Sequence, residues 1–119
     1  MWTSIRSLTL AAALLAGAAP ALADPSGHYT IAGTNPDGST YDASVLVAKV
    51  GDTFTLTYTL QDGTKLQGTG IGDDDVMAIG YLQDGESGVA LMYREGGKWM
   101  GVWSYIGAKT LGTEEWQPQ

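Results

Sequence analysis

The chain has 119 residues, no cysteine, and 13 acidic against 6 basic side chains, a formal charge of −7. That length holds one small domain, and the missing cysteines exclude disulfides and thiolate metal sites. The acidic balance argues against nucleic acid and anionic lipid surfaces as partners.

In chain order, the first segment is a leader. Arg6 supplies a positive start, Leu8 to Ala19 is apolar and uncharged, and Ala21-Leu22-Ala23 after Pro20 is a small-x-small cleavage signal. This is the layout of a secretory signal peptide over residues 1–23. A helix is expected near residues 8–19, short of the roughly 20 apolar residues that cross a bilayer. Cleavage after Ala23 leaves 96 residues starting at Asp24, with 13 acids against 5 bases and a net charge of −8. The product is expected to be periplasmic or secreted. It has no second long apolar run, and so no membrane span once the leader is gone.

The remainder, residues 24–119, reads as one all-β domain of eight strands. They are expected at 27–34, 40–50, 53–61, 64–72, 75–82, 87–94, 98–105 and 109–116. The clearest is Thr53-Phe-Thr-Leu-Thr-Tyr-Thr-Leu60, where Phe54, Leu56, Tyr58 and Leu60 alternate with threonines. A period of two buries one face and wets the other. Between the runs lie Pro36-Asp37-Gly38, Gly51-Asp52, Asp62-Gly63, Asp84-Gly85, Gly96-Gly97 and Gly107, residues that accept tight hairpin turns. Links this short force sequence neighbours to pair antiparallel. The expected fold is an up-and-down meander closing into a small barrel, which removes exposed edges. An open or two-layer sheet is the alternative.

Gly68, Gly70 and Gly72 alternate in the fourth run, and glycines on one face let another group come close. A large aromatic from a neighbouring strand is a candidate to fill that space. Asp73, Asp74 and Asp75 follow. Adjacent acids suit a hairpin tip better than a calcium loop, which wants spaced oxygen ligands. A weak surface calcium site is the lesser reading, and no other metal or cofactor is expected. His28 is the single histidine, so neither a histidine triad nor a zinc site can be assembled. No serine has a nucleophile-elbow context, and the chain reads as a non-enzyme.

The aromatics carry what functional signal there is. Trp99, Gly101, Trp103 and Tyr105 share one strand face, and Gly112, Glu114 and Trp116 share another. An inward Glu114 must be hydrogen-bonded, because a buried carboxylate is costly. Tyr41, Tyr58, Trp99, Trp103, Glu114 and Trp116 are the candidate ligand-binding residues. They would either fill the barrel or line a cavity within it.

Three stretches carry a family resemblance. In the first, Gly27, Tyr29, Gly33, Asn35, Pro36, Gly38 and Tyr41 are spaced along GHYTIAGTNPDGSTY. Gly68-Thr69-Gly70-Ile71 forms the second, and Gly101, Trp103, Gly112-Thr113-Glu114 and Trp116 form the third. Together they resemble small exported proteins of proteobacteria, mostly uncharacterised, some of which carry the label fibronectin-binding. Ala43 departs from the pattern, which has glycine there. The resemblance spans most of the chain after the leader. It implies an exported binding protein whose partner is an unknown small ligand or an extracellular protein such as fibronectin. The alternative is a structural or stress-related envelope protein without a small-molecule ligand.

Overall fold

The structure, a computed structural model, describes residues 24–119. The expected leader and its helix lie outside the described residues. The described chain forms eight strands: β1 (Gly27–Thr34), β2 (Thr40–Val50), β3 (Thr53–Leu60), β4 (Lys65–Gly72), β5 (Val76–Gln83), β6 (Glu86–Glu95), β7 (Lys98–Tyr105) and β8 (Gly112–Pro118). Each pairs antiparallel with the next. The sheet closes where β1 meets β8, from Tyr29 opposite Pro118 to Thr34 opposite Thr113. The closed meander expected from the turn spacing is therefore the observed fold.

The turns set this register. Asp84 and Gly85 both have positive φ, 51° and 82°, as a two-residue hairpin of the right twist requires. That turn places Gln83 opposite Glu86 and Tyr81 opposite Gly88.

The strand ends agree with expectation to within one residue except in β8. The last strand starts at Gly112, not at residue 109, and runs on to Pro118. Residues 108–111 belong to the loop. Gly107 turns the chain at φ 92°, the amide of Ala108 donates to the Tyr105 carbonyl at 3.1 Å, and the Thr110 hydroxyl donates to the Pro36 carbonyl at 2.8 Å. The loop is thereby tied to the β1–β2 turn, and β8 begins to pair at Gly112 opposite Trp103 of β7 and at Thr113 opposite Thr34 of β1.

The lumen is filled unevenly along its axis. Around one end, Ile31, Val45, Val47, Phe54, Leu56, Met77, Met92, Trp99 and Trp116 are buried to within 2% of complete. Full burial of such side chains stabilises by about 1.5–3 kcal/mol each, so this half holds the fold together. Pro25 seals its base and accepts a 2.8 Å hydrogen bond from the Tyr29 hydroxyl. Arg94 stacks its guanidinium 4.7 Å from the centre of the Trp99 ring and donates from Nε to the Asp74 carbonyl at 2.7 Å. Lys49 sits 5.1 Å over Phe54. Cations over aromatic faces are attracted by the ring electrons and close this end. The other half of the lumen is hollow.

Candidate functional site

The hollow half is a cavity of about 400 Å³, open at the end bearing the β1–β2, β3–β4, β5–β6 and β7–β8 turns. Cavities of roughly 300–1,000 Å³ are of ligand-holding size. Its wall is built by a repeated local device. Tyr41 stands opposite Gly33, Tyr81 opposite Gly88 and Trp103 opposite Gly112. Each ring lies over its glycine, so closely that a Cβ there would come within 2.1 to 2.3 Å of a ring atom. The rings therefore lean around the wall instead of across the lumen.

Their polar tips are anchored. Tyr81 donates to the Ser104 carbonyl at 3.3 Å and the Trp103 indole to the Thr113 carbonyl at 3.3 Å. Tyr41 reaches past Gly33 to Glu114, donating to Oε2 at 2.5 Å. Tyr41 and Trp103 meet edge to face at 6.2 Å, as Tyr58 and Tyr81 do at 6.5 Å. Edge-to-face contact is a favoured aromatic geometry and rigidifies the wall.

Glu114 is the acid at the floor of this chamber. It lines the cavity, and Trp116 donates to its Oε1 at 2.8 Å from below. Burial pushes its carboxyl above the ordinary carboxylate range, while the hydrogen bonds from Tyr41 and Trp116 pull it back down. Among the described residues no cation pairs with it. Its neighbour Glu115 faces outward and takes Lys98 at 2.7 Å instead. Burial, with the Glu114 charge second, raises the Tyr41 and Tyr58 hydroxyls well above their usual value and pushes Tyr81 up to about 12. The phenols therefore keep their protons, those of Tyr41 and Tyr81 in the hydrogen bonds to Glu114 and the Ser104 carbonyl.

Of the residues expected to form a site, Tyr41, Tyr58, Trp103 and Glu114 line the cavity. Trp99 and Trp116 do not. Both are completely buried in the packed half, and Trp116 serves the cavity only by holding Glu114. Tyr81, Leu66, Gln83 and Ala90 also line it and were not singled out from the sequence. For Tyr81 the signal was present in its register against Gly88 across the Asp84-Gly85 turn.

The glycines of β4 play another part than expected. Gly68 stands opposite Tyr81 and Gly70 opposite Phe54, but the groups pressed closest to them are not aromatic rings. A Cβ on Gly70 would press on Met77 and Leu56, and one on Gly68 on the Gly80 carbonyl, so these glycines let the packed half draw tight. The acids after them form the β4–β5 turn. The Asp73 carboxylate accepts the amides of Asp75 at 2.9 Å and Val76 at 3.1 Å, bonds that hold its pKa below the ordinary value. That carboxylate is committed to its own turn.

No protein-family model matches the chain, and a search of curated proteins finds no relative. Among solved structures, the chain is similar to a mutant of the fluorescent protein UnaG, with a TM-score of 0.52 at 10% sequence identity. The match covers 80% of this chain and 96% of that one. At that identity the likeness is one of barrel fold alone.

Proposed function

We propose that this chain is an exported, non-enzymatic binding protein that holds one small, largely apolar guest in the open half of its barrel. The observation that carries this is the uneven filling of the lumen. One half is filled by side chains buried to within 2% of complete. The other keeps about 400 Å³ free, although three aromatic rings large enough to fill it stand on its wall. Glycines opposite those rings hold them aside. A barrel that served only as an envelope scaffold would gain stability by letting them collapse inward. Export rests on the leader-like segment, residues 1–23, and predicts a mature protein beginning at Asp24.

The test is native mass spectrometry of the protein recovered from its own compartment, with intact mass reporting the amino terminus. A retained mass released by denaturation supports the reading. A bare protein that also fails to bind naphthyl or similar compact aromatic probes would defeat it.

A second reading, binding of an extracellular protein, is favoured by the outer wall. Ile71, Val89, Leu91 and Leu111 are each more than half exposed along β4, β6 and the β7–β8 loop. Contiguous exposed apolar surface marks interaction sites. Immobilised fibronectin that bound the wild type but not Val89→Lys or Leu91→Lys would favour it.

A further inference from the structure

Taking the cavity as a binding site, we propose that its guest is a compact organic cation: a protonated amine on an apolar body, with the ammonium set against Glu114 and the body among Tyr41, Tyr58, Tyr81 and Trp103.

The charges around the cavity point one way. Among the described residues no lysine or arginine lines the cavity, whereas Glu114 lies at its floor and Asp42 and Asp62 contribute to its rim. The five bases of residues 24–119 are placed elsewhere. Lys49 and Arg94 lie over aromatic rings at the sealed end, and Lys98 pairs with Glu115 on the outside. Lys65 bonds the Thr59 hydroxyl on the outer wall, and Lys109 lies in the β7–β8 loop outside the lining. An anionic guest would meet only like charge here. A carboxylate that gives up bulk water without a counter-ion is costly, and the described residues supply Glu114 with none.

The carboxylate is also pre-positioned and only partly used. A carboxylate has about four lone-pair sites. Tyr41 and Trp116 occupy one on each oxygen and fix the plane of the group, which leaves acceptor capacity on the cavity side. The aromatic wall adds to this. Faces of tyrosine and tryptophan attract a cation within about 6 Å of the ring centre, most strongly when it is out of water. Phenols that stay protonated put no competing negative charge on that wall. The site thus discriminates by charge through Glu114 and by shape through the rings.

A matched set of three probes of one size tests this: 1-naphthylmethylamine, 1-naphthylmethanol and 1-naphthoate, titrated at neutral pH into the full chain and followed by calorimetry and by quenching of tryptophan emission. The amine is expected to bind at least tenfold more tightly than the alcohol, and the carboxylate more weakly than either. Glu114→Gln should bring the amine to within about threefold of the alcohol while leaving alcohol affinity almost unchanged. Should that variant not fold, the wild-type ordering together with Asp62→Asn at the exposed rim decides. The rim variant should lower the preference for the amine in part and leave the alcohol alone. Alcohol or carboxylate binding as tightly as the amine would overturn the cation proposal and leave the binding cavity standing. Failure of all three to bind would overturn both.

Discussion

The indole nitrogen of Trp116 donates to Oε1 of Glu114 at 2.8 Å, two residues back on the same strand and the same inward face. One partner is sealed in the packed half and the other opens on the cavity, so this bond is the floor between them. Removing the acceptor strands a fully buried N–H, a loss of about 1–3 kcal/mol. Glu114→Ala should therefore destabilise the fold by that amount in urea unfolding. Glu115→Ala, which frees only an exposed pairing with Lys98, should cost less. Equal midpoints for the two variants would place Glu114 outside the structural core of the barrel.

The same carboxylate sets a pH dependence of known sign. Burial raises its folded pKa above the unfolded value of 4.5, so the native state binds more protons in the interval between the two. Its contribution is whole below about pH 4.5 and is lost as pH rises through the folded pKa. Asp24, Asp37, Asp62, Asp73 and Glu115 act in the opposite sense. Hydrogen bonds hold their folded pKa values down, and their contribution is lost as pH falls below the ordinary carboxylate range. Glu114→Gln removes only the first effect. Melting temperatures from pH 4 to 8 should show the variant gaining on the wild type as pH rises. Parallel curves would mean that Glu114 keeps its ordinary pKa.

Gly112 and Trp103 make a separable pair. A methyl on Gly112 would overlap the indole, so Gly112→Ala must expel the ring from the wall towards the cavity. Overpacking of this kind costs about 1–3 kcal/mol. It should also blue-shift or quench part of the tryptophan emission and weaken probe binding. Adding Trp103→Leu should recover stability beyond the sum of the single effects, since neighbours in contact do not add. Strict additivity in that double-mutant cycle would show that the glycine is needed for something other than the ring.

Trp99 and Trp103 lie four residues apart on one face of β7, yet they should fail differently. Trp99→Ala empties a site in the fully packed half, and large-to-small changes of this type cost about 3–5 kcal/mol. Trp103→Ala removes a partly exposed ring from the wall of a space already hollow. It should cost clearly less stability and most of the affinity for an aromatic probe. Thermal melts and probe titrations of both variants check this, and a larger stability loss for Trp103 than for Trp99 would contradict the division of the lumen.

That division marks the limit of what the sequence discloses. Period-two runs such as Thr53–Leu60 and the Asp-Gly turns are local features, so eight antiparallel strands, their pairing and their closure are legible from them. Alternation also turns Glu114 inward, because it shares a face with Gly112 and Trp116. Alternation reports the face of the sheet, however, and not the height along the barrel axis. Trp99 and Trp103 read alike although one is core and the other is cavity wall. The hydrogen bond from Tyr41 to Glu114 joins residues 73 positions apart and exists only because β1 and β8 close the sheet. The start of β8 is hidden for a related reason. Whether residues 109–111 pair depends on a hydroxyl reaching the Pro36 carbonyl from another turn.

Pro25 beneath the packed half, and the amide of Gln119 bonded to the His28 carbonyl at 3.0 Å, bring both ends of the domain to the sealed base. The mouth faces the other way. A surface, resin or reporter attached at Asp24 or Gln119 would therefore hold the barrel like a cup on its stem, with the opening turned to the surrounding fluid.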